Sequence, residues 1–392
     1  MNQSTSSPFS FDRIVGLVII ALLLAILGLI WQNQAPDLAS VAGQSTNAQD
    51  ASQQENQQYI VYTAVDEQGL EQLYATPLEI RANGIITGER KQLSHEAVGV
   101  WDFAPAPIAD RILYSALTAQ GTADLWLTTP LSPAATLLVP CPDGACGSAA
   151  WSPDGRLLAY SRRNATAGGA PTLNPPRLWM IDTVSGESAA VFSDNQKLAF
   201  EPRWSSDGKW ISYLSPDFVG VGVMNLDDGS TQFFATPSGE PAVWRPGKSE
   251  IMLTTQVQNS ENWATHLVLV DVATGTQRNL SGEQLLVEDS SPIWSGDGEW
   301  LVFRRRIIEG AGKTLSKQLW RMKWDGSEAQ PLTNDPNIEH GFVSLSPDSR
   351  YVVFHRFPLK GPNLVISVWA LDLQTGQQIE IASPGQRPQW LP

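Results

Sequence analysis

The apolar pattern divides the chain into one long uninterrupted run near the N-terminus and many short alternating segments after it. Residues 14–30 carry no charge, and with Trp31 they approach the ~30 Å of hydrocarbon that a spanning helix crosses. Arg13 lies just before the run, and no Lys or Arg follows until Arg81. Because positively charged flanks stay in the cytoplasm, we predict cytoplasmic residues 1–13, a transmembrane signal-anchor helix over 14–31, and an extracytoplasmic remainder.

A cleaved signal peptide is the alternative interpretation of this run. The apolar part of a signal peptide is usually ~7–15 residues long, and the weak cleavage site at 41–43 lies far from the run. The length of the run therefore favours a retained anchor, and no Cys follows closely enough for lipid attachment. Residues 32–58 are rich in Gln, Ser, Ala and Asn, so we expect a disordered polar linker there.

Between residues 59 and 392 a motif of the form Trp-Ser-Pro-Asp-Gly recurs, each time followed by an alternating apolar segment. Pro presets φ for a type I turn, Asp bonds the local backbone, and Gly accepts the left-handed conformation that closes a hairpin. The β-branched and aromatic residues after each turn predict a strand. A turn explains the recurrence better than catalysis or calcium binding does, so we expect structural roles for Asp154, Gly155, Asp207, Gly208, Asp297, Gly298 and Asp348.

Each copy of the motif opens a longer unit in which a third and a fourth strand follow the hairpin. In one copy, 177–182 is the third strand and ends at a turn that contains Gly186. Four antiparallel strands in a repeat of about 40–50 residues are typical of a β-propeller blade. The units open at Trp101, Trp151, Trp204, Trp244, Trp294, Leu345 and Trp390.

The two ends of the repeat region are incomplete in complementary ways. Residues 59–63 are a second strand without a first, whereas 389–391 are a first strand with no room for a second. Pairing the two would close the ring and remove two exposed sheet edges. We therefore predict an all-β, seven-bladed β-propeller of four-stranded blades over 59–392, closed by the C-terminal strand, with six blades as the alternative.

These repeats resemble the propeller repeat of TolB, an extracytoplasmic protein of bacterial envelopes, and are WD-repeat-like in general form. A similar repeat occurs in the propeller domains of prolyl oligopeptidase-type enzymes. The resemblance covers about residues 59–392 and implies a propeller in the cell envelope. The chain differs from TolB in its expected anchor, in having no separate N-terminal α/β domain and in its blade number, so no TolB-type role is carried over.

Charge and cysteine content narrow the classes of partner. The chain has 26 Lys and Arg against 40 Asp and Glu, a net charge of −14. A surface this acidic repels phosphate backbones, so no nucleic-acid partner is expected. Export to an oxidising space favours a disulfide between Cys141 and Cys146, although their spacing does not require one.

A local basic cluster stands out on this acidic chain, around the long loops expected between the second and third strands of the sixth and seventh blades. A third long loop covers 163–176. The cluster can bind a carboxylate, a phosphate, an acidic sugar or lipid headgroups, whereas solvated loop charges are the simpler interpretation. The candidate ligand-binding residues are Arg304, Arg305, Arg306, Lys313, Lys317, His340, His355, Arg356 and Lys360.

Two of these residues, His340 and His355, flank a hairpin turn and are expected to approach each other in the antiparallel pair. A metal–histidine pair, as in some propeller lyases that act on uronate sugars, is therefore an alternative interpretation. A third ligand is missing, because His95 and His266 fall in other blades. We accordingly expect no metal and no cofactor.

Two hypotheses for function follow. The favoured one is a non-catalytic, single-pass membrane scaffold that binds a protein or an envelope component over its propeller face, in the periplasm or at the cell surface. The sequence shows no G-x-S-x-G nucleophile elbow and no room for a hydrolase domain. The alternative is a propeller lyase or hydrolase that acts on an acidic oligosaccharide through the basic region.

Overall fold

The computed structural model describes residues 58–391 apart from 82–83, 109, 167–172, 260–261, 283–285, 311 and 363. The predicted cytoplasmic segment and anchor, and the predicted linker up to residue 57, lie outside the described residues. No helix that is long and apolar enough to span a membrane is found in the described part of the chain.

The described residues fold into β-strands and turns, without a helix. The first strands are β1 (Gln58–Val65), β2 (Glu71–Arg81), β3 (Gly84–Thr87), β4 (Lys91–Gln92), β5 (Val100–Pro105), β6 (Ile112–Leu117), β7 (Ala123–Thr128), β8 (Thr136–Val139), β9 (Gly144–Trp151), β10 (Leu157–Asn164), β11 (Arg177–Asp182), β12 (Ser188–Ala190), β13 (Phe200–Trp204) and β14 (Trp210–Ser215). The remaining strands are β15 (Gly220–Asn225), β16 (Thr231–Ala235), β17 (Val243–Trp244), β18 (Glu250–Asn259), β19 (Asn262–Asp271), β20 (Gln277–Asn279), β21 (Val287–Trp294), β22 (Trp300–Ile307), β23 (Gln318–Lys323), β24 (Gln330–Pro331), β25 (Ile338–Leu345), β26 (Tyr351–Pro358), β27 (Ser367–Asp372), β28 (Gln378–Ala382) and β29 (Gln386–Leu391).

Hydrogen bonding groups these strands into small antiparallel sheets. One sheet has the order β29-β1-β2-β3, with β4 also paired to β2, and two further sheets have the orders β13-β14-β15-β16 and β25-β26-β27-β28. The other two each contain eight strands, β5–β12 and β17–β24. Each of these is two antiparallel groups of four strands that meet at one parallel residue pair, Ala123↔Ala145 or Thr265↔Glu288. The four-stranded unit expected from the sequence repeat is thus confirmed.

The C-terminal strand completes the sheet that the first strand begins. Ile60 pairs with Trp390 and Tyr59 with Leu391 in the antiparallel ladder of β1 and β29. Trp390 is 4% exposed and packs in one apolar cluster with Tyr351 of the neighbouring sheet. The predicted joining of the two chain ends is therefore present, and it satisfies backbone groups that would otherwise lie at a sheet edge.

The recurrent Asp residues close the hairpins between first and second strands. In the turn after β9, Ser152 donates to Asp154, which also accepts the backbone N–H of Arg156. Gly155 follows with φ of 67°. The same pair of bonds recurs in the other three turns, at Asp207, Asp297 and Asp348. These residues are held by their own turns, as expected of structural groups.

Two of the Trp residues that open repeats are hydrogen-bonded to the preceding four-stranded group. The indole N–H of Trp151 donates to the carbonyl of Ala104 at 3.0 Å, and that of Trp204 donates to the carbonyl of Ala150 at 3.0 Å. Both acceptors belong to the first strand of the preceding group. These hydrogen bonds satisfy the indole N–H groups and help to fix the position of each four-stranded group relative to the preceding one.

A disulfide joins Cys141 and Cys146 and closes the loop between β8 and β9. Both cysteines are fully buried, in one cluster with Leu158 and Tyr160 of β10. The bond therefore anchors the connection between two four-stranded groups to the core.

Candidate functional site

The first strands of the successive groups surround one cavity of about 720 Å³. Its lining comes from seven strands: β5, β9, β13, β17, β21, β25 and β29. Seven strands from successive groups thus share the lining of this open cavity, and concave sites of this size commonly bind ligands.

Most of these inner strands carry a β-bulge at equivalent positions. The register shifts between Ser290 and Ile293 in β21 and between Gly341 and Ser344 in β25, and a similar shift occurs in β29. The bulged residues adopt left-handed backbone, with φ of 50° at Ser291, 47° at Phe342 and 53° at Arg387. Bulges redirect side chains and end regular pairing, so this ring of bulges decides which groups face the cavity rim.

Ion pairs tie the charged residues of the rim together. Arg387 pairs with Glu71 and donates to the carbonyl of Trp101. Glu71 also accepts from Thr63 at 2.5 Å; its burial raises its pKa, but the bonds from Thr63 and Arg387 outweigh that effect and lower it. Arg304 pairs with Glu339 at 2.6 Å. These cations are neutralised locally, which fixes the rim geometry.

A second group of charges lies on β5 and β13. Asp102 accepts the backbone N–H of Ser148, whose hydroxyl donates to Glu201 at 2.9 Å. Glu201 in turn pairs with Arg203 at 3.0 Å. Burial, assisted by the nearby Glu201 carboxylate, raises the pKa of Asp102 to about 6 despite the bond from Ser148. The pKa of this carboxyl therefore lies well above the ordinary value of an aspartate.

The three consecutive arginines of the predicted basic cluster lie on β22, so their placement in a loop was wrong. Each faces a residue of β21 in register: Ser290 opposite Arg304, Asp289 opposite Arg305 and Glu288 opposite Arg306. Arg305 is buried and forms a bidentate pair with Asp289 at 2.7 and 2.6 Å. Arg306 pairs with Glu288. Cross-strand carboxylates thus balance the charge that stood out in the sequence.

The remaining cations of the predicted cluster differ in their surroundings. Lys317 donates to Ser290 at 2.9 Å, and burial together with the nearby Arg304 lowers its pKa. Arg356 stacks over Trp369 at 4.3 Å, and burial lowers its pKa. Lys313 and Lys360 are exposed. Arg304 and Lys317 thus lie near each other, but Lys317 bonds Ser290 and Arg304 pairs with Glu339, so each already has a partner.

The two histidines do not approach each other, contrary to the sequence-based expectation. In the β25–β26 ladder His340 lies opposite Arg356, whereas His355 lies opposite Gly341. Side chains of adjacent residues on a strand point to opposite faces, so the two imidazoles lie on different faces of the sheet. The described residues contain no group of three His, Cys, Asp or Glu side chains placed to hold a metal ion.

Both histidines are held neutral by their surroundings. Burial lowers the pKa of His340 to about 4, and burial together with Arg304 and Arg387 lowers the pKa of His355 to about 4. The ring of His355 lies 5.1 Å from that of Phe342. His355 therefore contributes a neutral imidazole near the bulge of β25.

Sequence reasoning missed the bulge residues, although a signal for them exists. A Pro follows the bulged residue in Glu201-Pro202, Ser291-Pro292 and Arg387-Pro388, each time two residues before the Trp that opens the repeat. Proline lacks a backbone donor and is confined in sheets to edges and bulges. A Pro at a constant offset from that Trp thus marks the rim of the cavity.

Comparison with known proteins identifies structural neighbours but no protein family. No protein-family model matches the chain. A match over 196 residues is 22% identical to the "uncharacterized peptidase YuxL" of Bacillus subtilis (strain 168). The match covers 41% of this chain and 29% of that protein. The matched segment is thus less than a third of that relative.

Solved structures resemble the chain over most of its length. A puromycin-hydrolysing peptidase of Mycobacterium tuberculosis superposes with a TM-score of 0.58 at 14% identity, covering 83% of this chain and 53% of that one. Oligogalacturonate lyase of Vibrio parahaemolyticus superposes with a TM-score of 0.56 at 11% identity, covering 83% of this chain and 85% of that one. TolB of Acinetobacter baumannii gives 0.50 at 14% identity, covering 92% and 89%.

The chain has the β-propeller fold. Identities this low show the fold alone, and the peptidase, the lyase and TolB are different kinds of protein. A propeller hosts many functions, so the function of this chain is argued from its own residues.

Proposed function

We propose that the chain is a membrane-anchored, extracytoplasmic propeller of seven blades that binds a protein or envelope component without catalysis. The cavity lined by seven inner strands supports both the blade number and the location of the binding site. The expected anchor at 14–31 supports the location in the cell.

Exposed aromatic rings at the rim are the observation that carries the binding proposal. Trp101 of β5 is 43% exposed and Phe342 of β25 is 55% exposed. Both strands contact β29, where Arg387 donates to the Trp101 carbonyl and occupies the bulge position equivalent to Phe342. Since ion pairs hold the neighbouring charged groups, the rings are the groups left for a partner, and aromatic anchors dominate binding energy at interfaces.

The proposal is tested by photo-crosslinking in living cells. Trp101 is replaced by the photoreactive residue p-benzoylphenylalanine, and the same replacement is made at Trp263, an aromatic residue of β19 that is 61% exposed. We expect a discrete adduct from position 101 that is absent at 263. Because the adduct depends on contact with the rim, the charge-preserving variant Phe342→Ser should reduce its yield.

Equal labelling at both positions, or no adduct at position 101, would show that the rim is not the binding surface. The non-catalytic part of the proposal has its own test. The purified chain is incubated with oligogalacturonate and with aminoacyl-naphthylamide substrates, and we expect no product above a heat-denatured control. Turnover of either substrate would make the enzyme alternative correct.

The proposed location is tested separately with alkaline phosphatase, which is active only after export. Fused after residue 58, the enzyme should be active, and it should lose activity when the apolar run is interrupted by two lysines. Fractionation should find the intact fusion in the membrane, since the anchor is retained. A soluble, shortened product would support cleavage instead.

A further inference from the structure

A pair of like charges faces a second cavity, away from the inner strands. Arg162 of β10 and Arg177 of β11 are direct partners in the antiparallel ladder, so their side chains lie on the same face. Like charges directly opposite each other destabilise a sheet. Neither arginine forms an ion pair within the described residues, where Arg162 donates to Asn164 at 3.1 Å and stacks over Trp179 at 5.0 Å.

This arrangement is the reverse of that on β22, where the same fold places carboxylates opposite arginines. There Asp289 and Glu288 lie opposite Arg305 and Arg306 and pair with them. The sheet thus balances cross-strand arginines elsewhere but leaves the Arg162–Arg177 pair uncompensated. A bound anion would supply the missing negative charge and accept hydrogen bonds from both guanidinium groups at the cavity wall.

The cavity has a volume of about 630 Å³ and lies where the third and fourth groups of strands meet. Lys197 adds a third cation, over the ring of Phe192 at 4.2 Å. Two carboxylates also line the cavity, but Asp194 accepts the backbone N–H of Gln196 and Asp217 that of Leu198. Both carboxylates lie near Lys197, so the positive charge of the lining that is left without a nearby carboxylate is that of Arg162 and Arg177.

The rest of the lining combines amide side chains with apolar residues such as Leu178, Phe192 and Leu198. Asn164, Asn174 and Gln196 contribute amide groups, which donate to and accept from hydroxyls. The volume lies within the ~300–1,000 Å³ that small-molecule sites occupy. We infer that the cavity around Arg162, Arg177 and Lys197 is a binding site for a small hydroxylated molecule whose carboxylate or phosphate bridges the two guanidinium groups.

The inference is independent of the central cavity and is tested by calorimetry on the purified full chain at constant ionic strength. The probes are trigalacturonate, which carries carboxylates and hydroxyls, inorganic phosphate, and neutral maltotriose. We expect at least one of the two anionic probes to bind and maltotriose not to bind. Binding of trigalacturonate alone assigns a carboxylated sugar, and binding of phosphate alone or of both assigns a phosphate-bearing ligand.

The variants are Arg162→Gln and Arg177→Gln, with Arg81→Gln as a matched control at an exposed pair with Glu79. We expect the dissociation constant to rise at least tenfold in the first two and to stay within twofold in the control. Because each removes one of two opposed like charges, the unliganded variants should melt at or above the wild-type temperature, which shows that they fold.

Two results would overturn the inference. One is the absence of binding by both anionic probes to the wild-type chain. The other is an unchanged affinity in Arg177→Gln, or an equal loss in Arg81→Gln, since either would show that the affinity does not depend on the paired arginines.

Discussion

Asp289 and Arg305 form a fully buried, bidentate ion pair between β21 and β22, and Ser281 donates to the same carboxylate. Arg305 was expected to be a loop charge, but it lies on β22 opposite Asp289 of β21. Two charges removed from water are tolerated here because three hydrogen bonds reach the carboxylate, two from Arg305 and one from Ser281. Removing one partner would leave the other charge buried without compensation.

Replacing Asp289 by Ala should therefore destabilise the protein by about 3–5 kcal/mol, because Arg305 stays buried without a counter-charge. Urea denaturation measures the change. Glu79→Ala is the control, since its pair with Arg81 is exposed and should change stability little. Similar midpoints for the two variants would contradict a structural role for the buried pair.

Ring closure predicts a large effect of one residue near the C-terminus. Trp390 pairs with Ile60 and is buried against Tyr351, so Trp390→Ala should cost about 3–5 kcal/mol through lost burial and a cavity. Trp263→Ala, at an exposed position, should change stability by less than about 0.5 kcal/mol. Thermal and urea unfolding of both variants give the comparison, and equal stability would argue against closure through β29.

The glycine before the bulge in β25 is required by its neighbour. A Cβ at Gly341 would lie 2.3 Å from Nε2 of His355, so Gly341→Ala should destabilise by about 1–3 kcal/mol. The penalty should shrink in a His355→Ala background, which a double-mutant cycle measures. Gly296→Ala is the control, because its Cβ meets nothing closer than 3.6 Å. An unchanged penalty in the double variant would rule out this contact as the cause.

The buried histidines predict a dependence of stability on pH. His355 has a folded-state pKa of about 4 against 6.5 unfolded, so the unfolded state binds more protons between these values. The contribution of the neutral imidazole to the free energy of unfolding is complete above pH 6.5 and is lost as the pH falls towards 4. The loss amounts to about 3 kcal/mol at most. Asp102 has the opposite effect on stability. Because its pKa is raised to about 6, the folded state binds more protons than the unfolded state, and stability falls as the pH rises from about 4 to 6.

His355→Gln should accordingly flatten the rise of unfolding free energy between pH 4 and 6.5, and Asp102→Asn should steepen it. Urea unfolding at half-unit pH intervals measures both slopes. A slope unchanged by His355→Gln would mean that the imidazole is not buried as a neutral group.

The local pattern of the sequence determined the strands, the turns and the pairing of the chain ends. β-branched and aromatic segments, Asp and Gly in the turns and the repeated Trp are short-range signals, so the third strand at 177–182 and the partnership of 59–63 with 389–391 could be predicted. The disulfide partners were identified by proximity in the chain and by compartment.

Tertiary structure alone decided the electrostatics and the site. The arginines at 304–306 resembled an anion-binding cluster because their carboxylate partners lie on a different strand, and only the register of β21 against β22 brings Asp289 to Arg305. The same dependence on register separated His340 from His355 and set Arg162 opposite Arg177. Side chains alternate between the two faces of a strand, so a shift of one residue in register changes which face a charge occupies. The register depends on both strands and cannot be determined from either segment alone.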